Sequence, residues 1–127
     1  MEYFEKAFIK FEEIGDKWDM ARCLNSIAIM YSQKGDYEKA LEYYSKCISI
    51  ADELENYSAK GLFLMNIGVD YRLKGDYDKS LEYFVKSLAI AMELGNKKSI
   101  AMTNQNIGIV YQFKGYLDIA LEYFKKT

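Results

Sequence analysis

The chain repeats itself every 40 residues, and that period constrains its fold more than any other property. Lys34-Gly35-Asp36-Tyr37 returns as Lys74-Gly75-Asp76-Tyr77 and, degraded, as Lys114-Gly115-Tyr116-Leu117. Behind the copies stand Ala40-Leu41-Glu42-Tyr43-Tyr44, Ser80-Leu81-Glu82-Tyr83-Phe84 and Ala120-Leu121-Glu122-Tyr123-Phe124. Ahead of them stand Ile27 and Tyr31, Ile67 and Tyr71, Ile107 and Tyr111. One register held over so many positions makes the 40-residue unit a structural unit.

Within a unit the signals describe two helices. Between Ser58 and Lys74 the residues Leu62, Phe63, Ile67, Val69 and Tyr71 form a wide helical face. Gly75 then supplies a left-handed residue that ends a helix cheaply, and Asp76 caps the next. Leu81, Phe84, Leu88, Ala91 and Met92 follow at helical intervals. Gly95-Asn96 and Gly15-Asp16 repeat this stop-and-cap logic, whereas Glu55-Asn56 keeps the cap without the glycine and predicts a costlier turn. The result is an all-α chain of about seven helices, 2–14, 17–34, 37–54, 57–74, 77–94, 97–114 and 117–127, with the terminal ones incomplete. Residues 1–7 align with 121–127, so the chain reads as a piece of a longer array. Its organisation is a single array over 1–127: the second helix of a partial repeat at 1–14, repeats at 17–54 and 57–94, and a truncated repeat at 97–127.

Composition narrows the chemistry. There is no histidine, which removes the commonest general base and the commonest metal ligand together. Seventeen basic against 19 acidic residues leave a charge of −2, without the basic excess of a nucleic-acid binder. Cys23 and Cys47 fall on helix-packing positions and read as buried thiols rather than a zinc site or a disulfide scaffold. The acidic groups Glu12-Glu13-Asp16 and Asp52-Glu53-Glu55 lack the ligand spacing of a calcium loop, and no phosphate-loop pattern surrounds Gly35 or Gly75. Trp18 opens a helix beside Asp16 and is expected to pack on the preceding helix. The start is acidic and amphipathic, and no run approaches the roughly 18 apolar residues of a membrane helix. These features predict a soluble, cytoplasmic protein that is not an enzyme, carries no cofactor or metal, and binds neither nucleic acid nor membrane.

The repeat unit resembles the tetratricopeptide repeat. The family pattern of an aliphatic-small pair, an aromatic, a glycine turn, an aromatic, a small residue and another aromatic reads here as Ile67-Gly68, Tyr71, Gly75, Tyr77, Ser80 and Phe84. The other copies are Ile27-Ala28, Tyr31, Gly35, Tyr37, Ala40, Tyr44 and Ile107-Gly108, Tyr111, Gly115, Leu117, Ala120, Phe124. Two departures stand out: the early bulky aromatic is replaced by Leu24, Leu64 and Asn104, and the closing proline is missing throughout. The longer proline-free unit is similar to that of kinesin light chains, Leu-Gly-Asn-repeat proteins and many bacterial regulators. The small residues Ala28, Gly68, Gly108, Ala40, Ser80 and Ala120 let paired helices approach closely, and the aromatics are expected to fill the space between successive hairpins.

The resemblance implies a right-handed superhelical solenoid of antiparallel helix pairs whose first helices line a concave groove. Carried over position by position, the groove-facing set is Arg22, Asn25, Ser26, Ile29 and Gln33; then Leu62, Met65, Asn66, Val69, Arg72 and Leu73; then Met102, Gln105, Asn106, Ile109, Gln112 and Phe113. A carboxamide can pair with a peptide N–H and C=O at once, and apolar neighbours can hold the peptide's side chains. Asn66 and Asn106 match an asparagine with which family members hold an extended peptide; otherwise they merely keep an exposed helix soluble. Met65, Met102 and Phe113 serve either the groove or inter-helix packing. A carboxylate clamp is not expected, because Arg22 and Arg72 come without the matching lysines. The leading expectation is a module that binds a peptide segment of a partner protein. The alternatives are a sensor or regulatory fragment of a larger bacterial signalling protein, and an architectural repeat that self-associates head-to-tail or by swapping its ends.

Overall fold

A computed structural model of the chain describes residues 16–127. Among the described residues every regular element is an α-helix: α1 (Lys17–Gln33), α2 (Tyr37–Glu53), α3 (Tyr57–Lys74), α4 (Tyr77–Leu94), α5 (Lys97–Lys114) and α6 (Leu117–Phe124). All six starts fall where the sequence places them, and the ends agree within a residue except for α6, which closes at Phe124. The helix expected at 2–14 lies outside the described residues, as does any surface beneath Trp18.

The turns show why the boundaries were so legible. Gly35 and Gly75 adopt φ of +82° and +89°. After α1 the Gly35 N–H donates to the Ser32 carbonyl and the Asp36 N–H to the Tyr31 carbonyl, at 3.0 and 2.9 Å. This double bond closes the orphan carbonyls of the helix end. The Asp36 side chain then accepts from the Lys39 N–H, so one residue ends a helix with its backbone and opens the next with its carboxylate. Asp76 and Asn96 repeat both roles. At the glycine-free turn Glu55 itself takes φ of +54°, while Asn56 still caps the Ala59 N–H. The degraded third copy keeps the glycine, but Tyr116 makes no side-chain cap.

The chain divides into two compact units, at Phe63 and Leu64 within α3. In the first, α1 and α2 run antiparallel: Lys17 at the start of α1 pairs with Glu53 at the end of α2, and Tyr31 stacks on Tyr43 at 5.6 Å. Its core is Leu24, Cys47, Ala51, Ala59 and Phe63, with Tyr43, Ile48 and Ile50 packed against it. Both cysteines are buried, and neither is in a disulfide. Burial pushes the Cys47 thiol up to about 12, and its Sγ lies 3.5 Å from the Ala21 carbonyl.

The second unit holds the remainder of α3 with α4, α5 and α6. Met65, Phe84, Ile107 and Val110 form its core, flanked by Val69, Tyr77, Leu81, Leu88, Tyr111 and Tyr123. The small positions act as the sequence requires. The Ser80 hydroxyl donates to the Gly68 carbonyl at 2.7 Å, and a Cβ at Gly68 would come within 2.6 Å of the Phe84 ring. The tyrosines correct one expectation. Tyr71 stacks on Tyr83 and Tyr111 on Tyr123, at 5.5 and 5.7 Å, so these pairs close a hairpin internally rather than filling the space between hairpins. That second task falls to Phe84 and Tyr77, which pack with residues of α5.

Candidate functional site

The candidate residues sit on the first helix of each repeat, at spacings of four, three and four residues. Such spacing holds one azimuth on a helix. The stripes read Arg22, Ser26, Ile29, Gln33 on α1; Leu62, Asn66, Val69, Leu73 on α3; and Met102, Asn106, Ile109, Phe113 on α5.

In the first unit, Arg22 is exposed and makes a long ion pair with Asp19 at 3.6 Å. The Ser26 hydroxyl donates back to the Arg22 carbonyl at 3.2 Å and so is already engaged on its own helix. Ile29 and Leu62 are exposed. Asn25 is half-buried, and its Oδ1 is buried without a hydrogen-bond donor. That unpaired oxygen is costly unless a further group supplies the bond.

The second unit gathers more of the set. Asn66 and Val69 on α3 and Asn106 and Ile109 on α5 are half-buried, while Gln105 and Gln112 are open to solvent. Met102 is 41% exposed and Phe113 59%. The Phe113 ring stacks on Tyr77 at 5.9 Å, and the Arg72 guanidinium lies 5.9 Å from its centroid. The Arg72 Nε is buried and donates to no acceptor. Met65 does not belong to this surface. It is 9% exposed and packs in the core with Phe84, Ile107 and Val110, because its side chain sinks between helices instead of facing out.

Tyr77 was absent from the sequence-derived set. Its role emerges only when α4 and α5 are placed side by side, since it stands 36 residues before Phe113. Tyr77 also lines an open recess of about 430 Å³ with Lys74, Gly75, Asp76, Asp78 and Lys114. The charges of that recess are largely committed: Asp76 caps α4, and Asp78 pairs with Lys114 at 2.6 Å. The hydrogen bond from Lys114 to Asp78 holds the ammonium above its ordinary pKa. Among the described residues, no group of three acidic or thiol side chains is placed to hold a metal ion, and no helix is long and apolar enough to cross a membrane.

Helical hairpins with capped turns, small contact residues and a polar-apolar stripe on each first helix define a helical-repeat scaffold. The tetratricopeptide repeat model matches residues 2–53 and 61–127, and the chain belongs to that family, whose members serve as protein–protein interaction modules. Its structure is similar to that of BtubC (BKLC) from P. vanneervenii, with a TM-score of 0.87 at 23% identity, over 98% of this chain and 52% of that one. It is also similar to the TPR domain of Arabidopsis FLU, with a TM-score of 0.79 at 17% identity, over 86% of this chain and 92% of that domain. At such identities the likeness is one of fold. The chain spans about half the length of BtubC. No curated protein matches it in sequence.

Proposed function

We propose that the chain is a non-enzymatic, cytoplasmic interaction module that holds a peptide segment of a partner protein along the first helices of its repeats. The observation that carries this reading is the α5 stripe: the half-buried Asn106 carboxamide set between the exposed Met102 and Phe113 side chains. A carboxamide offers a donor and an acceptor to a peptide backbone, and flanking apolar groups can cover the peptide's side chains. Asn66, Gln105 and Arg72 extend the same chemistry. The cytoplasmic location rests on two buried cysteines that form no disulfide.

A peptide-library selection on the purified chain tests the proposal, run beside an Asn66→Ala/Asn106→Ala variant. The wild type should enrich a common motif, and the variant should bind it at least about tenfold more weakly with an unchanged melting temperature. No enrichment, or binding indifferent to both asparagines, would overturn the reading.

A second, architectural reading is favoured by α6. Leu117 and Leu121 are exposed there, whereas Leu81, the counterpart of Leu121, packs against the core. Under that reading a Leu121→Ser variant would lose an association that the wild type shows.

A further inference from the structure

We propose that the outer face of α4 pairs with the same face of a second copy of this chain. The buried face of α4 consists of Ser80, Phe84, Ser87 and Ala91. On the opposite side of the helix stand Val85, Ala89 and Met92, at i, i+4 and i+7, all open to solvent; Val85 is 55% and Met92 62% exposed. Isolated apolar residues on a surface need no explanation, but a continuous helical stripe does.

The repeat itself supplies the control. Forty residues earlier, on α2, the equivalent positions are Ser45, Ser49 and Asp52, also exposed. Packing within a repeat therefore does not require apolar groups there. The flanking charges, by contrast, are the same in both helices: Glu42, Lys46 and Glu53 on α2 match Glu82, Lys86 and Glu93 on α4. Among the exposed positions of the two helices, only the stripe changes its chemical character.

The α4 face is self-complementary. When two copies of α4 lie antiparallel about a two-fold axis near Ala89, Val85 of each meets Met92 of the other. The small Ala89 side chains meet at the crossing and let the backbones approach. Lys86 of each then faces Glu93 of the other. Within its own helix Lys86 has only weak solvent-exposed contacts, an ion pair with Glu82 at 3.8 Å and the Tyr83 ring at 4.8 Å. An isologous contact of this kind closes at two copies. The polar face of α2 offers no match, which commits the occupant to a second α4. One helix pair buries less than the roughly 1,200–2,000 Å² of a stable interface, so the dimer is weak and forms at high micromolar concentration.

Analytical ultracentrifugation of the full chain from about 5 µM to about 0.5 mM tests this. The wild type should show a monomer–dimer equilibrium. Val85→Ser/Ala89→Ser/Met92→Asp, which installs the α2 residues at exposed sites, should weaken it more than tenfold while circular dichroism and melting temperature stay unchanged. Glu93→Lys should weaken association, and adding Lys86→Glu should restore it. Leu121→Ser should have no effect. A strict monomer across the range would overturn the proposal, leaving the stripe to a foreign helix. So would a dimer insensitive to the triple variant, or one lost only with Leu121→Ser.

Discussion

Two of the helical glycines lie so close to an aromatic ring that neither has room for a side chain. At Gly68 an added methyl would meet Phe84, which is fully buried and has no room to move. At Gly108 the opposing ring is Phe124, half-buried near the end of α6. Gly-to-Ala within a helix gains roughly 1 kcal/mol of propensity, and overpacking a tight core costs about 1–3 kcal/mol. Gly68→Ala should therefore destabilise the chain by about 1 kcal/mol. Gly108→Ala should stay within about 0.5 kcal/mol of wild type, because Phe124 can swing toward solvent. Chemical denaturation of both variants would decide; equal losses would mean that ring burial does not govern the outcome. The first repeat carries Ala28 at the position of Gly68 and the buried Tyr44 at that of Phe84, so there the packing has been built around a Cβ.

Helix ends are where this sequence is least optimised. Glu55 occupies a left-handed conformation that costs a residue with a Cβ about 1 kcal/mol or more. Glu55→Gly should raise stability by roughly 0.5–1 kcal/mol, after the extra entropy of glycine in the unfolded chain is subtracted. Tyr116 stands where Asp36 and Asp76 cap their helices, and it makes no cap bond. Tyr116→Asp should add about 1 kcal/mol, less whatever its edge contact with Tyr111 contributes. Both gains should appear as a higher denaturation midpoint at an unchanged slope. A null result for Glu55→Gly would show that the strain at that turn is relieved in some other way.

Across the chain the net charge is −2, and among the described residues the ion pairs between helices each have at least one exposed partner: Lys17 with Glu53, Lys60 with Asp52, Lys114 with Asp78. Pairs of this kind contribute about 0–1 kcal/mol each and are screened by salt. Stability accordingly rests on apolar burial, and raising sodium chloride to about 0.5 M should move the melting temperature by less than roughly 3 °C. A large fall would shift the weight to these pairs. The same measurement bears on association, since the α4 contact combines a salt-insensitive stripe with the screened Lys86–Glu93 pairs.

The helices, their starts and their caps were legible in the sequence because each signal is local: the sign of φ at a glycine, a carboxylate three residues from an open N–H, a run of apolar residues at helical spacing. The family followed from the same signals repeated at one period. Burial is different in kind. Asn25, Met65 and Gln105 share one position of the repeat, yet the first is half-buried, the second lies in a core and the third is open to solvent. The period fixes only the direction in which each side chain leaves its helix. What it meets there is set by residues distant in the chain, as with Tyr77 against Phe113 or the tyrosines that stack within a hairpin. The contrast between α2 and α4 was written in Ser45 and Val85 from the start, but its meaning depended on knowing that both side chains face water. Backbone geometry is decided by neighbours in sequence, and exposure by neighbours in space.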